Sequence, residues 1–253
     1  MLKWLRSKAT CPVGAEEKVW IEERFGWLAD QFTCEQLRSG TTILPTTDFF
    51  PASFERTDEE IVELLDRVAM FMDVDPMSVR LNYYEETHPK FNGQWSNGSA
   101  GMYSESDGQY DIWLEVSTLE DPLAVVSTIA HELGHVLLLG QNRLTGEEED
   151  HEELTDLLTV FMGLGILTSN SVMNENYWFS GGWTGWEMSR RGYITMEMYG
   201  YALALYAMAR SEFIPDWLTH LRPDVRSACK NGIRYIQESQ DCNFRHIRFR
   251  ANG

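Results

Sequence analysis

The chain is poor in cysteine: its 253 residues include four, and none forms a Cys-x-x-Cys pair. Cys11, Cys34, Cys229 and Cys242 lie far apart, so their spacing gives neither a disulfide framework nor a cysteine-based metal site. Reduced, partly buried thiols are the expectation. Positive charge is also scarce. Against 39 Asp and Glu stand 21 Lys and Arg, a formal net charge of -18. Such a surface repels phosphate backbones and anionic lipid, so neither nucleic acid nor a membrane is an expected partner. The opening Met-Leu-Lys-Trp-Leu-Arg-Ser-Lys lacks the apolar stretch of a secretory signal. No uninterrupted apolar run approaches the roughly 18 residues of a membrane span. A cytoplasmic protein is the expectation, and no internal repeat or low-complexity segment suggests otherwise.

What is present is material for a core. Apolar residues make up 43% and aromatics 12%, which excludes disorder. From Ala15 to Phe32 the residues Ile21, Phe25, Leu28 and Phe32 recur at helical spacing. Thr57 with Glu60 is a capping-box pattern, opening a helix whose buried stripe is Ile61, Leu64, Leu65, Val68 and Met72. Val79 to Tyr84 reads as a strand. Beyond a loop containing Asn92-Gly93 and Asn97-Gly98, Gly101 to Ser104 and Tyr110 to Val116 read as two strands joined through Asp107-Gly108. In the second, Tyr110, Ile112, Leu114 and Val116 share a face. Everything after Thr118 reads as helix or loop. The expectation is one α+β domain over 1–253. It has a helical N-terminal layer (1–75), a small antiparallel sheet (76–120), a helical pair (121–165) and a helical C-terminal part (166–253).

Asp121-Pro122 opens a helix well and Gly140 is placed to close it. Between them the sequence is apolar on nearly every side, as in a buried helix. His131, Glu132 and His135 interrupt it. Buried polar groups persist only with partners. Four residues apart, both imidazoles project from one face and reach a single metal ion. Glu132 sits about 100° round the helix, placed to act on a metal-bound water without being a ligand. Two core histidines satisfied by hydrogen bonds are the alternative, but that leaves Glu132 unexplained. A catalytic zinc takes three protein ligands and a water, so a third ligand is expected downstream. After the polar connection Gln141–Asp150 comes a second helical stretch, His151-Glu152-Glu153-Leu154-Thr155-Asp156. In it Glu152 and Asp156 share a face, while Leu154, Leu157, Leu158, Phe161 and Leu164 supply the core.

His-Glu-x-x-His followed by a helix carrying Glu-x-x-x-Asp resembles the gluzincin group of metallopeptidases, which includes thermolysin. The resemblance covers residues 122–165 and implies a zincin-like fold. It implies zinc ligands at His131, His135 and Glu152, a base at Glu132, and a supporting Asp156 carboxylate that accepts a hydrogen bond from a zinc-bound imidazole. Two other third ligands stay open: His151, equally acceptable to zinc, and Glu153, which points about 100° away from Glu152. The whole chain further resembles a bacterial protein family through Leu-Thr-Asp-Leu-Leu-Thr-Val-Phe and Tyr-Gly-Tyr-Ala-Leu-Ala-Leu, a likeness that implies no activity.

The gluzincin likeness also implies an oxyanion donor, Tyr or His, for which Tyr193, Tyr199 and His220 are the candidates. Aromatics alternating with glycine from Tyr177 to Trp186 read as a packed loop or a lid. The strand Tyr110–Val116 precedes the histidine helix; in related zincins a nearby edge strand pairs with extended substrate. The expected function is a zinc-dependent hydrolase, a metallopeptidase with a peptide or protein substrate. The alternatives are a zincin-shaped binding or regulatory module without turnover, and a structural zinc that clamps two helices.

Overall fold

A computed structural model describes residues 9–85, 101–106, 108–145, 147–171 and 193–249. The loop with Asn92-Gly93 and Asn97-Gly98 and the aromatic stretch Tyr177–Trp186 lie outside them.

Helix α1 spans Ala15–Phe32 and buries Ile21, Phe25, Leu28 and Phe32, the apolar stripe of the sequence. Its Glu22 is 1% exposed and is satisfied by Lys18, the Tyr201 hydroxyl and the Asn243 amide, tying the helix to the C-terminal part. A short helix α2, Cys34–Ser39, follows. In α3, Asp58–Phe71, the Thr57 hydroxyl accepts from the Glu60 amide at 3.3 Å and the Glu60 carboxylate accepts from the Thr57 amide at 3.1 Å. Both halves of the capping box are therefore formed.

Three strands follow: β1 (Val79–Tyr84), β2 (Gly101–Ser106) and β3 (Gln109–Glu115), in the spatial order β1-β3-β2. The expected antiparallel sheet needs correcting. A tight turn at Gly108, whose φ is 75°, makes β2 and β3 antiparallel, but β1 and β3 are parallel, with Val79 opposite Tyr110 and Tyr84 opposite Glu115. The chain leaves β1, builds the far edge as β2 and returns as β3 into the gap, so β3 runs in the same sense as β1. As the central strand, β3 has both edges hydrogen-bonded, which removes it as a strand for substrate pairing. Ile112 and Leu114 are fully buried as expected, but Val116 is 40% exposed because the strand has already turned into a 3₁₀ segment, Val116–Glu120.

Helix α4, Pro122–His135, starts with the Asp121 carboxylate accepting from the Leu123 amide at 2.9 Å. It continues through a wider π-type turn, Val136–Gly140. Gly140 therefore does not close the helix in a left-handed conformation; Asn142, at φ 55°, takes that role. The 19 residues Pro122–Gly140 are long and apolar enough to cross a membrane by composition alone, but they are mostly buried within the fold. They pack against α3, against β2 and β3, and against α5 (His151–Phe161) and α6 (Gly165–Ser171). Helices α7 (Met196–Ala209) and α8 (Pro223–Ser239) complete the core on the far side of α5.

Candidate metal centre

The centre is built where α4 crosses α5. Gly134 makes the crossing possible: a Cβ there would lie 2.6 Å from Thr155 Cγ2. Alanine in place of glycine within a helix ordinarily stabilises by roughly 0.5–1 kcal/mol. Here the sign reverses. Gly134→Ala is expected to destabilise by about 1–3 kcal/mol through overpacking, read by chemical denaturation; a more stable variant would mean the crossing is loose.

At this crossing the ligand atoms of His131, His135 and Glu152 lie within 4.8 Å of one another, a group that can hold a metal ion. Glu152 Oε2 is 3.1 Å from His131 Nε2 and 3.4 Å from His135 Nε2. Each imidazole is turned by its other nitrogen. His131 Nδ1 lies 2.9 Å from Asp156 Oδ1. His135 Nδ1 lies 3.4 Å from Thr155 Oγ1, whose own hydrogen goes to the His151 carbonyl at 2.7 Å, so the hydroxyl is left to accept from the ring. In their neutral forms, with the proton on Nδ1, both rings would aim the Nε2 lone pair at one point. Of the alternative third ligands, neither belongs to the converging group; His151 Nε2 sits 3.3 Å from Glu152 Oε1 instead.

The electrostatics follow from burial against pairing. Burial pulls the His131 imidazole down, but hydrogen bonds to Asp156 and Glu152 outweigh it and hold the ring up at about 10. Burial keeps His135 below its usual value. For Glu152 the same two imidazoles overcome burial and hold the carboxyl well below the usual carboxylate range. Glu132, 4% exposed, is pushed up to about 7 by burial, against the pull of His131.

Of the three donor candidates, Tyr193 stands at the centre. Its ring stacks on His131 with centroids 5.6 Å apart and planes 20° apart, close enough for Glu152, Asp156 and Glu132 to act on its phenol. Burial and the surrounding carboxylates push that phenol up to about 12. Tyr199 is 1% exposed in α7 and serves the core; its phenol is pushed well up by burial. His220 lies in the 3₁₀ turn Asp216–His220, its carbonyl accepting from Asn170, and among the described residues no contact joins its ring to the centre.

Sequence reasoning did not find the supports. Asp150, just before α5, accepts from Arg24 Nε at 2.7 Å, Arg24 Nη2 at 2.6 Å and Trp20 Nε1 at 2.7 Å, pinning the start of α5 to α1. Over 120 residues separate these partners, and nothing local announces them. Thr155 had a signal: it faces the same neighbouring helix as Asp156. Comparison of the chain with family models, with curated proteins and with solved structures finds no match in any of the three.

Proposed function

We propose that this chain is a zinc-dependent hydrolase acting on a peptide or protein substrate, with His131, His135 and Glu152 as ligands and Glu132 as general base. One observation carries the reading: two imidazole nitrogens and one carboxylate oxygen converge, and both rings are held from behind by Asp156 and Thr155. The donor set fits zinc, which takes histidine nitrogen and carboxylate oxygen together. Bound there, zinc supplies Lewis acidity to a scissile carbonyl and lowers the pKa of a bound water.

The chain's own residues do the rest. Glu132, raised to about 7, takes up a proton near neutral pH and returns it to the leaving amine. Tyr193, raised to about 12, keeps its hydroxyl proton at working pH and can donate it to a developing oxyanion. Asp156 and Thr155 keep the rings in the ligating tautomer.

Elemental analysis of untagged protein, after zinc loading and desalting, tests the reading. Roughly one zinc per chain is expected, and His131→Ala or Glu152→Ala should lose it. Uptake should depend on pH with a definite sign. The metal-free fold holds a proton on His131 up to about 10, and a ligating imidazole must give it up. Binding at pH 8 should therefore release roughly one proton, and affinity should rise with pH up to that value. Calorimetry in buffers of different ionisation heat reads the proton directly. A folded protein that takes no zinc sinks the proposal. A zinc-loaded protein that cleaves nothing in a broad peptide library is a binding module instead.

A further inference from the structure

We infer that Arg24 is a positioning residue for the metal centre: through Asp150 it fixes the first turn of α5, and with it Glu152, so that metal affinity depends on a tie between α5 and α1. The inference rests on the metal-site reading above. Asp150 holds the N-cap position of α5, its carbonyl accepting the first helical bond from the Leu154 amide at 2.9 Å. An aspartate at that position ordinarily turns its side chain inward, to accept from an amide of the first turn. Here the side chain makes no such bond.

The carboxylate is turned outward, and α1 supplies its donors. Arg24 grips both oxygens, with Nε 2.7 Å from Oδ2 and Nη2 2.6 Å from Oδ1, and Trp20 Nε1 adds a third bond to Oδ2 at 2.7 Å. A two-pronged, charge-assisted grip of this kind fixes direction as well as distance. Trp20 and Arg24 are one turn apart, so a single face of α1 holds Asp150. Glu148 Oε2 stands further off, 4.0 Å from the same Nη2. Helix α1 is itself a firm support, since it buries Ile21, Phe25 and Leu28 and its Glu22 is bonded to Tyr201 and Asn243.

The place of this tie gives it a consequence for the metal. Glu152 lies two residues beyond Asp150, in the first turn of α5, where the amides have no helical partners and the chain is least constrained by its own helix. The aromatic contacts of α5 with α1 are at its other end, where Phe161 meets Phe25 and Phe32 at centroid distances of 5.5 and 6.3 Å. That end is roughly 16 Å from Asp150 along the helix. An N-cap side chain given up to a neighbouring helix leaves the turn that carries the ligand placed by that neighbour, and a metal site tolerates little displacement of a ligand.

The test loads zinc, and separately Co²⁺, into the wild-type chain, Arg24→Met and Asp150→Ser. Methionine keeps much of the length of arginine without its nitrogens. Serine caps a helix about as well as aspartate does, but has no carboxylate for Arg24 to grip. The pair therefore separates a tie to α1 from a local need for a cap. In both variants zinc affinity by chelator competition should fall on the order of 10–100-fold. Their visible Co²⁺ bands should shift, because a displaced Glu152 alters the field at the metal. Circular dichroism of the metal-free proteins checks the fold, and affinities are compared only between folded chains, so a loss of stability alone does not register. Arg24→Lys, which keeps the charge but not the two-pronged grip, replaces the methionine variant if that one fails to fold. If Asp150→Ser binds zinc like wild type with an unchanged Co²⁺ spectrum, a capped helix start suffices, and the role of Arg24 is overturned while the metal site stands. The same holds if the folded Arg24 variant matches wild type. If the wild type takes up neither metal, the metal-site reading fails first, and this inference with it.

Discussion

Glu132→Gln should lower kcat by about 10²–10⁴-fold, the usual contribution of a positioned general base, with zinc stoichiometry unchanged. Glutamine keeps the shape and cannot take a proton. The same change should stabilise the metal-free protein at high pH. Burial raises the Glu132 carboxyl from an ordinary 4.5 to about 7. The folded state then holds this proton more tightly than the unfolded state does. Its contribution to stability is fully present below pH 4.5 and is lost as pH rises through about 7. A neutral glutamine has no such dependence, so the variant's advantage over wild type should grow across that interval, to on the order of 2–3 kcal/mol. Denaturant titrations of both metal-free proteins at pH 5 and pH 8 read the difference. A variant that turns over substrate like wild type rules out Glu132 as the base. One equally stable relative to wild type at both pH values would show that the carboxyl is not held out of water.

That combination, an inactive variant that is more stable, is characteristic of a group kept in place against its own solvation. It also explains why the site was legible in the sequence while much of the sheet was not. His131, Glu132 and His135 stand out because the surrounding helix is otherwise apolar, and helical phase alone brings Glu152 and Asp156 to one face. The bounds of α1 and the cap of α3 are set by residues within a few positions of each other, so local pattern fixes them. The direction of β1 against β3 depends on β3, and not β2, lying beside β1, which no spacing encodes. Gly140 misled for a related reason: the helix widens at its end, and Asn142 makes the left-handed turn. Tyr193 could not be separated from Tyr199 by type. What separates them is that Tyr193 precedes α7, where its backbone reaches Asp156, whereas Tyr199 lies inside the helix against the core.

Asp156→Ala should be the most damaging single change at the centre. The carboxylate is 3% exposed and every neighbour donates to it. His131 Nδ1 lies at 2.9 Å from Oδ1; the Tyr193 and Ile194 amides lie at 2.6 and 3.3 Å from Oδ2. Removing it orphans three donors, at roughly 1–3 kcal/mol for each buried one. The loss should total about 3–5 kcal/mol, the range for breaking a buried pair. Two other effects follow from the same geometry. His131 loses the acceptor that orients its lone pair, so zinc affinity should fall by about 10–100-fold. The Tyr193 amide loses its anchor, so the phenol stacked on His131 loses its position. Asparagine separates the two effects. Its oxygen can still accept from His131, but its amide group then confronts the Tyr193 and Ile194 amides donor to donor. Asp156→Asn should therefore keep more zinc affinity than alanine while recovering little stability. Chelator competition and thermal melting of both variants measure the two quantities independently. If asparagine recovers the melting temperature but not the zinc affinity, its oxygen has turned to the Tyr193 and Ile194 amides, and those contacts, not the one with His131, set the orientation of this side chain.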